Sequence, residues 1–124
     1  MTGILVSRLA HTWLIDVDGT LLSHNGYLHG QDRLLPGVVE FWRQIPEGDT
    51  IILLSARAED TRGDCLAVLD RAGLRYDHAL FGLPTGERIL INDRKPGGLV
   101  TALAVSVARD AGLAELKVTI DPAL

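Results

Sequence analysis

Apolar residues fall in short blocks along the chain, and blocks with strand-like and helix-like spacing alternate. Residues 12–17 (TWLIDV) form an apolar, β-branched run closed by Asp18 and Gly19, which predicts a first strand. Residues 23–35 carry Asn25, Gly26 and Gly30 among polar neighbours and predict a loop or small hairpin. Pro36 then stands where a helix tolerates it best. Val38, Phe41, Trp42 and Ile45 repeat at helical spacing until Pro46 stops the pattern. Residues 50–54 (TIILL) are continuously apolar, as suits a strand buried on both faces. Residues 59–72 predict a second helix, with Cys65, Leu66, Val68, Leu69 and Ala72 as its apolar stripe and Gly73 as its left-handed stop. Residues 76–81 predict a weaker third strand, and residues 88–91 (RILI) a fourth, ended by Asn92 and Asp93. Residues 98–109 predict a helix with Leu99, Ala102, Leu103 and Val107 inward, and residues 116–120 (LKVTI) an edge strand.

The order β-α-β-α-β-β-α-β predicts an α/β domain with a mostly parallel sheet. In open sheets of this kind, ligands gather beyond the carboxyl ends of the strands. Three clusters follow strands here: Asp16-Val17-Asp18-Gly19-Thr20, Ser55-Ala56-Arg57 and Asn92-Asp93-Arg94-Lys95. These are the candidate site.

Composition narrows the classes. The chain has 124 residues, the size of one domain, so residues 1–124 are expected to form a single core. Hydrophobic residues at 47% and charged residues at 23% exclude a disordered chain. No apolar run approaches the roughly 20 residues of a membrane-spanning helix, so no membrane partner is expected. Arg8 and His11 interrupt the N-terminal apolar stretch and no small-residue cleavage site follows, so no signal peptide is expected. One cysteine, Cys65, excludes an internal disulfide and fits a reducing cytoplasm. With a net charge of −4 and no Lys/Arg cluster, a nucleic-acid partner is disfavoured.

The candidate site is rich in carboxylates. Gly19 allows a sharp turn after the first strand, so Asp18 can swing beside Asp16. Two close carboxylates repel unless a cation or a shared proton lies between them. With Asp93 converging from another strand, the oxygens would suit Mg2+, which binds through one or two carboxylates plus a substrate phosphate.

The motif Asp16-Val17-Asp18-Gly19-Thr20 after an apolar strand resembles the D-x-D-G-[TS] signature of the haloacid dehalogenase superfamily of phosphotransferases. Ser55 after TIILL is similar to its second motif, and Asp93 after RILI to its fourth. The resemblance runs from about residue 12 to 108. It implies a capless, Rossmann-like three-layer domain with helices on both faces of the sheet. It also implies a Mg2+-dependent phosphatase. Asp16 would be the nucleophile that forms an aspartyl-phosphate. Asp18 would act as general acid and then base. Asp16, the Asp18 main-chain carbonyl and Asp93 would hold Mg2+. Ser55, with Val17, Gly19, Thr20, Ala56 and Arg57, would bind the phosphoryl oxygens.

Two positions depart from the pattern. Leu83 in Phe81-Gly82-Leu83-Pro84 stands where similar small members carry a catalytic lysine. Lys95 is the candidate substitute, with Arg57 and Arg88 behind it. Asn92-Asp93 offers one acid where the family often has two. Residues 21–35 suffice for a flap and not for a cap domain, so the site should be open and should accept a large substrate or be closed by a second copy of the chain. On that flap, His24, Tyr27 and His29 are the specificity candidates, with Tyr27 placed to stack on a sugar. The small capless relatives suggest a sugar phosphate as the small phosphorylated substrate. A non-catalytic binding module is the alternative that Leu83 motivates. A receiver-like signalling domain fits less well, because its acids and its Ser/Thr would fall after other strands.

Overall fold

A computed structural model describes residues 2–124. Its elements in chain order are β1 (Thr2–Val6), β2 (Thr12–Asp16), α1 (Val38–Trp42), β3 (Thr50–Leu54), α2 (Arg62–Arg71), β4 (His78–Leu80) and β5 (Leu116–Ile120). Short 3-10 turns occupy Gly26–His29 and Glu59–Thr61. All strand pairing is parallel. β2, β3 and β4 form one sheet with β3 central, and β1 pairs with β5 in a second. The molecule is α/β with little helix.

Register positions the site. Asp16 is level with Leu54, and Leu54 with Leu80, so three strands end in one row. The ladder runs one residue further, through Val17 N–H to the Leu54 carbonyl (3.0 Å) and Ser55 N–H to the Leu80 carbonyl (2.9 Å). Residues 16–18 and 55–57 therefore leave the sheet side by side.

The core lies against one face of β3. Ile51 and Leu53 are fully buried and pack with Val17, Leu21, Leu22, Val38, Cys65 and Leu69. Thr50, Ile52 and Leu54 are only half-buried, so β3 is covered on one face and not on both as its apolar run predicted. Trp13, Phe41 and Trp42 meet edge to face beside this core, and the Trp42 indole N–H donates to the Arg75 carbonyl. Residues 21–35 form the expected small hairpin-like flap. Leu22 bridges Leu34, and Ser23 N–H donates to the Arg33 carbonyl.

The first helix is shorter than the periodicity predicted. Gly37, at φ +77°, sets its start, and an α-helical ladder runs only through Trp42. The second begins with a 3-10 turn and continues as α2 to Arg71, with Gly73 at φ +76° beyond it. The N-terminal strand β1 is an addition, and the TGILV run that forms it is strand-like in composition.

Two predicted elements do not form. Residues 88–91 make no strand, and Ile89 and Ile91 are 83% and 91% exposed. β4 pairs with β3 alone and leaves its outer edge open, but at three residues it offers few ladder positions for residues 88–91 to join. Residues 98–109 make no helix, and Leu103 and Val105 stay exposed. A helix of about 12 residues is marginal unless tertiary packing covers its apolar face, and here only Leu99 and Val107 of that face are partly buried. Gly98 at φ +100° also closes a turn onto the Lys95 carbonyl at its start. Among the described residues, no helix is long and apolar enough to cross a membrane.

Candidate active site

A tight turn after β2 builds the first half of the site. The Val17 carbonyl accepts N–H groups from Thr20, Leu21 and Leu22, and Gly19 N–H donates back to the Leu22 carbonyl. Gly19 sits at φ +83°, a conformation a residue with Cβ adopts only at a cost. The turn leaves both carboxylates at the strand end with separate partners.

Asp16 is the more open of the two, with a side chain 36% exposed. Its Oδ2 accepts from the Thr20 hydroxyl at 2.8 Å, and its Oδ1 from Arg88 Nη1 at 2.7 Å. Arg88 itself is half-exposed. The cation beside the candidate nucleophile is thus Arg88. Lys95, the first candidate for that place, is exposed and its side chain makes no ion pair among the described residues. Its backbone instead closes a local turn, with Lys95 N–H donating to the Leu99 carbonyl.

Asp18 is held from the other side. Its Oδ2 accepts from the Ser55 hydroxyl at 3.1 Å, and the Arg57 Nε–H reaches Oδ1 at 2.9 Å. Arg57 Nη2 also lies 2.8 Å from Oδ1. Ser55 is buried and accepts the Arg57 backbone N–H on its Oγ, so the hydroxyl is oriented toward Asp18. The fold brings Asp16, Asp18, Thr20, Ser55 and Arg57 together at the strand ends; Ala56, between the last two, is exposed.

Arg57 is the unexpected centre of this half. Its side chain is 1% exposed and it forks onto the Asp32 carboxylate, Nη1 to Oδ2 at 3.0 Å and Nη2 to Oδ1 at 2.6 Å. The Tyr27 ring lies 4.2 Å from the guanidinium carbon. Burial alone would weaken the cation, but the Asp32 and Asp18 carboxylates outweigh it and raise the guanidinium pKa above its ordinary value. Sequence reasoning did not single out Asp32. The only hint was the need of a buried arginine for more than one carboxylate. Tyr27, placed by sequence against a sugar, lies instead on Arg57. Below them burial pushes the Cys65 thiol up to about 11, which leaves it protonated and inert.

The third cluster is not drawn in. Asp93 is exposed, its carbonyl accepts from the Thr101 hydroxyl, and Asn92 Nδ2 donates to the same Thr101 Oγ1 at 3.0 Å. Among the described residues, no group of three or more His, Cys, Asp or Glu side chains is arranged to hold a metal ion. The reason is the missing strand at 88–91, which would have carried Asp93 to the common row. For Mg2+, the hard oxygens of Asp16 and the Asp18 carbonyl suit the ion, whereas the third expected ligand is not in place. Comparison with known proteins adds no neighbour: no protein-family model, curated protein or solved structure matches the chain.

Proposed function

We propose that the protein is a phosphomonoester hydrolase of the haloacid dehalogenase type, working through an aspartyl-phosphate on Asp16. The observation that carries this reading is the unequal pair of carboxylates at the end of β2. Asp16 is open and faces the exposed cation Arg88, while Asp18 is fixed on Ser55 and Arg57. One carboxylate is free to attack, and its neighbour is positioned to handle a proton.

In the first step an Asp16 oxygen forms a bond to phosphorus as the ester oxygen leaves, and the leaving oxygen takes a proton from Asp18. In the second, Asp18 removes a proton from water, the water oxygen bonds to phosphorus, and the Asp16–phosphorus bond breaks. Inorganic phosphate leaves, and both carboxyl groups return to their starting forms. Arg88 offsets the charge of Asp16 and follows the phosphoryl oxygens as charge builds there. Thr20 holds the second Asp16 oxygen and so orients the first. Mg2+ would be held by Asp16 and the Asp18 carbonyl and would supply charge neutralisation between carboxylate and phosphate; Asp93, the third ligand that the resemblance implies, stands apart from the pair.

The finer expectations travel with this reading. They are a Rossmann-like three-layer arrangement without a cap, a cytoplasmic setting, a sugar phosphate as substrate, and a second copy of the chain closing the open site. A non-catalytic binding module is the second reading. The separation of Asp93 and Lys95 from the pair favours it.

The test is phosphate release from p-nitrophenyl phosphate and a panel of sugar phosphates, with Mg2+, with EDTA, and with Asp16→Asn. Turnover that needs Mg2+ and disappears in Asp16→Asn is expected. A protein that hydrolyses nothing and binds no Mg2+ would be the binding module.

A further inference from the structure

The Arg57 guanidinium ties the far side of the flap to the Asp18 carboxylate, which the turn at residues 17–22 already holds at the flap's near end. Toward β2 it holds the Asp18 carboxylate. Toward the flap it holds Asp32 in a two-pronged fork and lies against the Tyr27 ring. The Asp32 side chain is 8% exposed and the Asp18 side chain 17%, so both pairs are shielded from water and salt. Charge-assisted forks of this geometry are the strong class of hydrogen bond. One cation faces two carboxylates, so releasing either leaves the other as its sole anionic partner.

From this geometry we infer that Arg57 is a positioning residue that latches the flap, through Asp32 and Tyr27, onto the proton-handling carboxylate Asp18. The inference rests on the phosphatase reading only for the role of Asp18; the latch itself does not. With the flap down, the guanidinium is fixed from both sides and Asp18 has one orientation beneath Ser55. With the flap lifted, Arg57 loses its second anchor and Asp18 its fixed partner. Admission of substrate under the flap and alignment of Asp18 are thereby one event. Asp32 acts on the chemistry without touching it. Lysine at position 57 would not replace the arginine, because an ammonium has no planar fork to span two carboxylates.

The experiment is backbone hydrogen exchange on the full chain, unaltered and as Asp32→Asn, Arg57→Lys and Asp32→Glu, paired with steady-state kinetics on p-nitrophenyl phosphate. In Asp32→Asn and Arg57→Lys, amides of residues 23–33 should exchange about tenfold faster or more, while amides of β3 keep their protection. Asp32→Glu, which can still reach the guanidinium, should restore much of the protection. If the protein hydrolyses the ester, kcat should fall about tenfold or more in Asp32→Asn with KM within about twofold, the mark of lost alignment. Unchanged flap exchange, equal loss of protection in β3, or an unchanged kcat in an active protein would each overturn the latch. A protein that hydrolyses neither p-nitrophenyl phosphate nor the sugar phosphates and binds no Mg2+, yet whose flap opens in Asp32→Asn and Arg57→Lys alone, would keep the latch and sink the phosphatase reading.

Discussion

Two aspartates two positions apart have been given different surroundings by their neighbours. Asp16 keeps an exposed edge because its partners, Thr20 and Arg88, each take one oxygen and leave the carboxylate at the mouth of the site. Asp18 is turned inward by Gly19 and meets a serine and an arginine that are themselves buried. Position along the chain is nearly the same, so the turn decides the role. If Asp18 transfers the proton, Asp18→Asn should lower kcat by about 10²–10⁴-fold while Mg2+-dependent binding of inorganic phosphate survives. An equally active Asp18→Asn would remove it from the mechanism. Arg88 and Lys95 make competing claims on the cation role, and contact favours Arg88. Arg88→Ala should cost about 10²-fold in kcat, well beyond the effect of Lys95→Ala. The reverse ranking, read from the same assay, would return the role to Lys95.

At the scale of elements, the parallel register explains why the site exists where it does. β2, β3 and β4 end level, and the residue after each strand leaves the sheet at the same edge. That rule was legible from TWLIDV and TIILL, whose lengths and boundaries leave little choice, and it anticipated that Asp16, Asp18, Ser55 and Arg57 lie together at the strand ends. It failed for RILI. An apolar run of four announces a strand only if it pairs with an edge, and nothing local to residues 88–91 reports how short β4 is. The helix at 98–109 failed for a related reason: its spacing was right, but spacing cannot say whether a partner face exists. Asp32 was hidden because its meaning comes from Arg57, a residue far along the chain that it meets only after folding. The turn at Gly19 gives this scale its own test. A Cβ there would sit 3.4 Å from the Arg109 Cγ, at φ +83°. Gly19→Ala should destabilise by about 1–2 kcal/mol from the backbone alone, seen as a lower denaturant midpoint. An unchanged midpoint would mean that the turn is set by the Val17 carbonyl bonds and not by the glycine.

Across the whole molecule the sheet has two ends with opposite demands. The carboxyl ends carry the Asp16 and Asp18 carboxylates, which the proposed activity needs available, while the amino ends are stapled shut. There Asp49, buried before β3, accepts from the Trp13 indole at 2.8 Å, from the His11 backbone N–H at 3.0 Å, and lies 2.7 Å from His11 Nδ1. Asp77 does the same for β4, accepting the Ile51 N–H at 2.8 Å. One carboxylate therefore ties the start of β2 to the start of β3. Burial by itself would raise the Asp49 pKa, but the Trp13 and His11 hydrogen bonds outweigh it and hold the carboxyl below its ordinary value. The folded state thus binds that proton more weakly than the unfolded chain does. The stabilisation is fully present above the ordinary carboxylate range and is lost as pH falls through the depressed folded value. Asp49→Asn keeps the shape and removes the charge, so it should be less stable than the unaltered protein at neutral pH, by about 1–3 kcal/mol. That gap should narrow as pH falls, because the unaltered Asp49 then becomes neutral too. Urea unfolding from pH 7 down to pH 3 on both proteins measures it. Parallel pH curves, with the gap intact at the acid end, would show that Asp49 holds the strands together by hydrogen bonding alone and that its charge contributes nothing.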